Sequence, residues 1–108
     1  MSDQPTQKND FIYVTTIGRR TGNPHTIEIW YVEHNGAYYI CSEGRSNADF
    51  VKNIRHNPAV TYGFGGWDAP HSPATGRIVE ETDLSVVLAR LFDARYHWSD
   101  GLFVEIKP

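Results

Sequence analysis

The sequence predicts a mainly β (α+β) fold: an antiparallel barrel or roll of six short strands with two short helices. Short runs rich in β-branched and aromatic residues alternate with turns that contain glycine, proline and asparagine. Only two stretches repeat their apolar residues at helical spacing, whereas a parallel sheet would need more crossover helices. The connections are of hairpin length, and the sequence contains no internal repeat.

Length and composition limit the classes of function. The 108 residues are enough for one domain, and the net charge of −3 argues against general nucleic-acid binding. Cys41 is the single cysteine, which excludes an internal disulfide and indicates a reducing, cytoplasmic compartment. No apolar run approaches the roughly 18 residues of a membrane span. Residues 1–10 are polar and predict a flexible tail, which leaves 11–108 as a single domain.

The first half of the domain predicts three strands. The first is the apolar run Phe11–Ile17, and a second run extends from about residue 26 to 33. Asn35 and Gly36 are the typical pair of a type I′ hairpin turn, so the third strand is expected over Ala37–Ser42. This register makes both faces of the hairpin largely apolar. One face is expected to cover the core, and the other a ligand or a second subunit.

The second half predicts two helices and three more strands. Ser46 followed by Asp49 resembles a capping box that opens a short helix, and Pro58 ends that helix. Apolar residues at helical spacing predict an amphipathic helix from residue 83 to about 95, including Val87 on its apolar face. The remaining strands are expected at 59–64, 75–80 and 102–106, with a turn over 65–73.

The loop between the first two strands is shaped and positively charged. It contains Arg19, Arg20 and His25, and Gly18 and Gly22 allow close approach of its backbone. With free backbone N–H groups nearby, these side chains suit a phosphate or a carboxylate. Solvated surface arginines are the alternative interpretation. The loop lacks both the ending of a P-loop and the Gly-x-Gly-x-x-Gly pattern of a dinucleotide site.

Neither a catalytic triad nor a metal site is indicated by the pattern of reactive residues. The five histidines show no His-x-x-x-His spacing, and a single cysteine cannot form a Cys-x-x-Cys pair. That cysteine also falls inside a predicted strand, where it is expected to be buried.

Five segments together resemble one known family. In order they are TTIGRRTGNPH at 15–25, IEIWYV at 27–32, NG at 35–36, CSEGR at 41–45 and ADFVKNIRHNP at 48–58. Together they resemble the deazaflavin-dependent nitroreductase family, and the resemblance covers nearly all of residues 11–108. It implies the split β-barrel fold that the family shares with flavin mononucleotide (FMN) oxidases and reductases.

The resemblance implies coenzyme F420 as the cofactor, with FMN as the alternative that the same fold accommodates. Residues of the charged loop, of the end of the third strand and of the first helix are implied to contact it: Arg19, Arg20, His25, Ser42, Gly44, Arg45 and Asn53. Glu43 is a departure, because some relatives have a lysine after the serine. An acidic residue there would repel an anionic coenzyme tail unless Arg45 reaches back to replace that lysine. The N-terminal helix of some relatives is missing, which leaves the choice of substrate open.

Tyr96 and Trp98 follow the second helix, where family members place aromatic residues over the substrate. Tyr96 is therefore a candidate proton donor, since hydride delivery to a conjugated acceptor must be followed by a proton. Solvent is the alternative source of that proton, and closing the core is the alternative role of both aromatic residues.

The resemblance implies an oxidoreductase in which the reduced deazaflavin transfers a hydride to a small electrophile such as a quinone, an enone or a nitro compound. Two alternatives are kept: an FMN-dependent reductase of the same fold, and a non-catalytic protein that binds a cofactor or a hydrophobe. The expected partner is a small-molecule substrate, and binding of nucleic acid is not expected. The apolar hairpin faces and the fold resemblance suggest a homodimer.

Overall fold

The computed structural model describes residues 9–108, so residues 1–8 of the predicted tail lie outside the described part. The elements in chain order are β1 (Phe11–Ile17), β2 (Pro24–His34), β3 (Ala37–Ser42), a 3-10 turn (Arg45–Asn47), α1 (Asp49–His56), β4 (Ala59–Gly63), β5 (His71–Ile78), α2 (Thr82–Tyr96) and β6 (Leu102–Lys107). The strands form a closed antiparallel barrel in the order β1-β2-β3-β6-β5-β4. The predicted fold class is confirmed.

The hairpin between β2 and β3 has the predicted turn. Asn35 and Gly36 both have positive φ, at 50° and 81°, which is the conformation that a type I′ turn requires. A two-residue turn predicts Val32 opposite Tyr39, and this register is observed over residues 31–34. The same register predicts that Trp30 pairs with Cys41, but the ladder ends at Tyr31. The local Asn-Gly signal therefore set the pairing of these two strands.

Strand β2 changes its partner along its length. Residues 24–30 pair with β1, whereas pairing with β3 covers only 31–34 in the described part of the chain. Over residues 24–30, the edge of β2 that faces away from β1 has no strand against it. Here β2 and β3 diverge, and the gap between them is the split of this barrel.

The barrel interior holds the first of two apolar clusters. Its fully buried members include Ile12, Val14 and Ile40, and α1 adds Val51 and Ile54. Helix α1 therefore closes the open side of the barrel. Burying such aliphatic side chains contributes roughly 1.5–3 kcal/mol each.

The second cluster lies on the outside of the barrel beneath α2. Val32, Tyr39 and Cys41 of the hairpin are buried together with Leu88 and Phe92 of α2. The expectation that this face covers a ligand or a second subunit is therefore wrong for most of its length, because a helix of the same chain covers it.

Three other details differ from the predictions. Strand β5 begins at His71 and includes Pro73, which is tolerated because β6 pairs with β5 only over residues 75–78. The predicted capping box is absent, since α1 starts after Ala48 without a side-chain cap and Ser46 lies in the 3-10 turn. Val87 is 36% exposed although its helical position was expected to face the sheet.

A charged network joins β3, β5 and β6. The Tyr39 hydroxyl donates to Glu105 Oε2 at 2.7 Å, and Arg77 Nε donates to Glu105 Oε1 at 3.0 Å. Burial by itself would raise the pKa of Glu105, but the hydrogen bonds from Arg77 and Tyr39 outweigh it and leave the pKa below its usual value of 4.5. The folded state therefore prefers the ionised carboxylate.

We expect Glu105→Gln to lower the free energy of unfolding at pH 7 by about 1.5–3 kcal/mol, since a charge-assisted bond is lost. A carboxyl group with a lowered pKa contributes stability above its unfolded pKa, and this contribution disappears as pH falls through the folded pKa. The gap between the two proteins should therefore narrow below about pH 4.5. Urea unfolding from pH 7 down to pH 3 measures this gap, with the exposed Glu33→Gln as control. A gap that stays constant over this range would contradict the prediction.

Candidate functional site

Two adjoining cavities lie in the split of the barrel. Cavity 1, of about 450 Å³, is lined by the β1–β2 loop, by β2 and by α1, and includes Arg19, Arg20, His25, Asp49 and Asn53. Cavity 2, of about 620 Å³, is lined by aromatic side chains, two carboxylates and the end of β3, and includes Phe11, Glu28, Trp30, Cys41, Ser42, Glu43, Gly44, Phe92 and Trp98.

The two cavities meet along β2 and α1. Residues 25–27 of β2 line cavity 1 and residues 28–30 line cavity 2. Phe50 of α1 lines both. Because this is the length of β2 that β3 leaves unpaired, the change of strand partner creates the space for both cavities.

The β1–β2 loop is held by its own backbone. The amide of Gly18 donates to Asn23 O and that of Gly22 to Gly18 O, both at 2.8 Å, while the amide of Arg19 donates to Asn53 Oδ1 at 3.2 Å. The expectation of free N–H groups is wrong for these three amides. A Cβ at Gly18 would lie 2.9 Å from His25 Nε2, so glycine lets the imidazole pack against the loop. These three amides are therefore not available to an anion.

The two arginines of the loop have different roles. Arg19 Nη1 donates to Asn53 Oδ1 at 2.9 Å, and its Nη2 lies 3.4 Å from Asp49 Oδ1. Arg20 is exposed, lines cavity 1 and makes no hydrogen bond or ion pair within residues 9–108. Arg19 therefore anchors the loop to α1, while the Arg20 guanidinium is available to a ligand.

Asn53 links α1 to the loop and to β1. Its side chain is 4% exposed, and its Nδ2 donates to Thr16 Oγ1 at 3.1 Å while its Oδ1 accepts from Arg19. Asn53 lies three residues after Phe50, which puts it on the buried face of α1. This spacing is the signal in the sequence that could have indicated its anchoring role. Asn53 lines cavity 1, but its amide is already committed to the protein.

The residues after β3 are divided between the cavity and the surface. Ser42 is buried, and its hydroxyl donates to Arg45 O at 3.1 Å; both Ser42 and Gly44 line cavity 2. Arg45 Nη2 instead pairs with Asp100 Oδ1 at 2.6 Å, and Arg45 is outside the described lining of both cavities. In this structure Arg45 therefore reaches toward Asp100 and not toward the cavities, and its contact with the coenzyme stays a prediction.

Tyr96 closes the barrel wall beside cavity 2. Its hydroxyl donates to Tyr31 O at 2.6 Å and lies 3.1 Å from Asp10 O. Its ring stacks on Trp30 at 4.6 Å with an interplanar angle of 5°. The described lining of cavity 2 includes Trp98 but not Tyr96. This geometry favours the core-closing role of Tyr96 over that of a proton donor.

The aromatic wall of cavity 2 was missed in the sequence. Phe11 lies directly opposite Trp30 across β1 and β2, and the two side chains are 40% and 38% exposed. Two large aromatic residues facing each other on the outer side of a hairpin are the signal that could have indicated it. Cys41 also lines this cavity, and burial raises its pKa to about 12, so its thiol stays neutral.

Within residues 9–108, no helix has the length and apolar character needed to cross a membrane. Groups of three or more His, Cys, Asp or Glu side chains that could hold a metal ion are absent from the same residues.

Comparisons with known proteins agree with this geometry. HutZ, the haem storage protein of Vibrio cholerae, has a TM-score of 0.74 and 16% identity over 94% of this chain and 83% of its own. A candidate pyridoxamine 5′-phosphate oxidase from Listeria innocua has a TM-score of 0.70 and 14% identity over 94% of this chain and 85% of its own. An F420-H2 dependent reductase, FDR-A, has a TM-score of 0.63 and 19% identity over 98% of this chain and all of its own.

These structural neighbours establish the split-barrel fold. No functionally curated protein matches the chain. The family profile described as F420H(2)-dependent quinone reductase matches residues 3–92. The chain therefore belongs to this family and is an oxidoreductase.

We expect Asn53→Ala to lower the free energy of unfolding by about 1–3 kcal/mol, because it leaves Thr16 and Arg19 without their buried partner. Urea unfolding measures this loss. The matched control is the exposed neighbour Lys52→Ala, which should change stability by less than about 0.5 kcal/mol. Equal stability of Asn53→Ala and the unmodified protein would contradict the anchoring role.

Proposed function

We propose that the chain uses reduced coenzyme F420 to reduce a quinone-like electrophile by hydride transfer. The main support for this proposal is the guanidinium of Arg20, which is free in cavity 1. Cavity 1 adjoins the aromatic cavity 2, and Phe50 lines both cavities. A cofactor with an anionic phosphate and a planar ring needs these two environments side by side.

The chemistry of cavity 1 fits the phosphate-bearing part of the coenzyme. Arg20 offers a guanidinium fork that no other described residue occupies, and His25 adds an imidazole beside it. Arg19 and Asn53 would hold the loop in place. Because the amides of Gly18, Arg19 and Gly22 are satisfied internally, the Arg20 guanidinium is the main attraction for a phosphate, and removing it should weaken that attraction.

The composition of cavity 2 fits the deazaflavin ring of the coenzyme and the quinone-like acceptor. When bound, the reduced coenzyme supplies a hydride from the carbon of its central ring. Phe11, Trp30 and Phe50 supply apolar surface that excludes water and stacks against planar rings. The Tyr96 ring behind Trp30 limits the orientations of the indole. These side chains therefore position reactants, and the neutral Cys41 thiol adds no nucleophile.

The proton that completes the reduction needs a source. A quinone gains two electrons and one proton as hydride, and it takes a second proton to give the hydroquinone. Ser42 is the hydroxyl residue in the described lining of cavity 2, and it already donates to Arg45 O. Tyr96 likewise donates to Tyr31 O. Solvent at the open mouth is therefore the source that we favour.

Enones and nitro compounds are also reduced by hydride transfer, and they stay predictions as alternative acceptors.

A homodimer also stays a prediction. Its support is a set of large exposed apolar side chains, namely Phe11 and Trp30 of the barrel wall and Trp67 of the turn between β4 and β5.

We expect Arg20→Ala to weaken binding of coenzyme F420 by about tenfold or more, since a charge-assisted contact contributes roughly 1.5–3 kcal/mol. Fluorescence titration of the purified protein measures this, with FMN titrated in parallel. Arg55→Ala, an exposed arginine of α1 outside the described cavity lining, is the matched control. Arg19→Ala should reduce stability as well as binding, because Arg19 also anchors the loop.

Binding of FMN in preference to F420 would replace the cofactor in this proposal. Binding of neither would overturn it. Saturation with F420, without oxidation of F420H2 by quinones, would favour the non-catalytic alternative.

We expect Tyr96→Phe to lower the free energy of unfolding by about 1 kcal/mol, because the variant lacks the hydroxyl that donates to Tyr31 O. Turnover with F420H2 and a quinone should stay within about twofold, whereas loss of a proton donor would cost roughly 10²–10⁴-fold. The control is Tyr62→Phe, whose hydroxyl makes no hydrogen bond within the described residues. A loss of turnover of 100-fold or more would restore Tyr96 as the proton donor.

A further inference from the structure

The two cavities have opposite charge. Cavity 1 contains two arginines against one carboxylate, Asp49. Cavity 2 contains the carboxylates of Glu28 and Glu43, and its described lining includes no lysine, arginine or histidine. A ligand that spans both cavities therefore meets a cationic end and an anionic end.

The charge of Glu43 is not compensated by its neighbour. Arg45 is the nearest cation in sequence, but it pairs with Asp100 at 2.6 Å. Glu43 is exposed and makes no hydrogen bond or ion pair within residues 9–108. Its negative field therefore acts on whatever enters cavity 2, reduced by solvent and salt.

Glu28 is held by a hydrogen bond. It accepts this bond from the Tyr13 hydroxyl at 2.5 Å. The bond is the main cause of the raised pKa of Tyr13, so the phenol stays neutral and brings no charge to the pair. Hydrogen bonding holds the Glu28 side chain in place without neutralising it.

The aromatic residues strengthen the same preference. Phe11 and Trp30 present partly exposed aromatic surface at this cavity, and Trp98 also lines it. Aromatic faces attract cations through their quadrupole and give anions no favourable contact. Carboxylates next to aromatic faces therefore discriminate between planar ligands by the sign of their charge.

We propose that Glu28 and Glu43 make cavity 2 a charge-selective acceptor site, which binds cationic planar acceptors more tightly than neutral ones, and neutral ones more tightly than anionic ones. This inference rests on the proposed function, because it names the class of acceptor for the same site. The same field disfavours an anionic coenzyme tail in cavity 2.

Three naphthoquinones with the same ring test this selectivity. They carry a methoxyethyl, a trimethylammonium or a sulfonate group on one side chain, so they differ mainly in charge. Their binding is measured by quenching of tryptophan fluorescence, with and without coenzyme F420, because Trp30 and Trp98 line the cavity. Their kcat/KM values with F420H2 are measured in parallel.

We expect the cationic quinone to bind roughly tenfold more tightly than the anionic one at low salt, with the neutral quinone between them. This ratio should approach one at about 0.5 M salt, since both carboxylates are exposed to solvent. Glu43→Gln and Glu28→Gln should each reduce the ratio about threefold, and the double variant should remove it. Glu33→Gln, an exposed carboxylate of β2 outside the described lining, is the control and should retain the full ratio.

Equal binding of all three quinones, or a ratio that survives in the double variant, would overturn the inference. Failure of every quinone to quench, with or without coenzyme, would also overturn it. Charge-dependent binding without turnover would uphold the selectivity while contradicting the proposed function. Turnover without any dependence on the charge of the quinone would support the proposed function while contradicting the selectivity.

Discussion

The structure of the site depends on one constraint on β2: a single strand serves two partners in succession. Residues 24–30 pair with β1 and residues 31–34 with β3, so the barrel closes at one end of β2 and opens at the other. The open length would expose the interior cluster, and α1 covers it with Val51 and Ile54. Both cavities lie where this cover meets the unpaired strand edge. The packing that completes the core is thus also the packing that forms the site.

The charged loop is held in place partly by its own backbone N–H groups. The Asn53 side chain joins α1 to Arg19 and Thr16, and the amides of Gly18 and Gly22 bond within the loop. A loop held in this way presents the Arg20 guanidinium in a fixed neighbourhood. Preorganisation of this kind favours binding because little ordering remains to be done when the ligand arrives.

The fold does not determine the ligand, since proteins that share it are described by very different ligands and activities. In this chain the difference lies in the side chains along the split. Arg20 and His25 are at one end, and Trp30 with Glu28 and Glu43 at the other. Tyr96 illustrates how a residue can matter without chemistry, because it holds Trp30 by stacking and holds the wall of the barrel through Tyr31.

The sequence by itself determined the features that depend on near neighbours in the chain. The Asn35-Gly36 turn, the hairpin register, the class of the fold and the composition of the charged loop follow from short patterns. The start of β5 was missed, because the proline that suggested a turn is tolerated where β6 does not pair.

Tertiary structure alone decided which side chains remain available to a ligand. Asn53 is tied to Thr16, Arg45 to Asp100, and Tyr96 to Tyr31. These partners are 37, 55 and 65 positions apart in the chain. Local propensity contains no information on such pairs, since their contact exists only after the barrel has closed and α1 and α2 have packed against it. For that reason the sequence identified most of the residues near the site, while the structure separated the anchors from the groups that are free to bind.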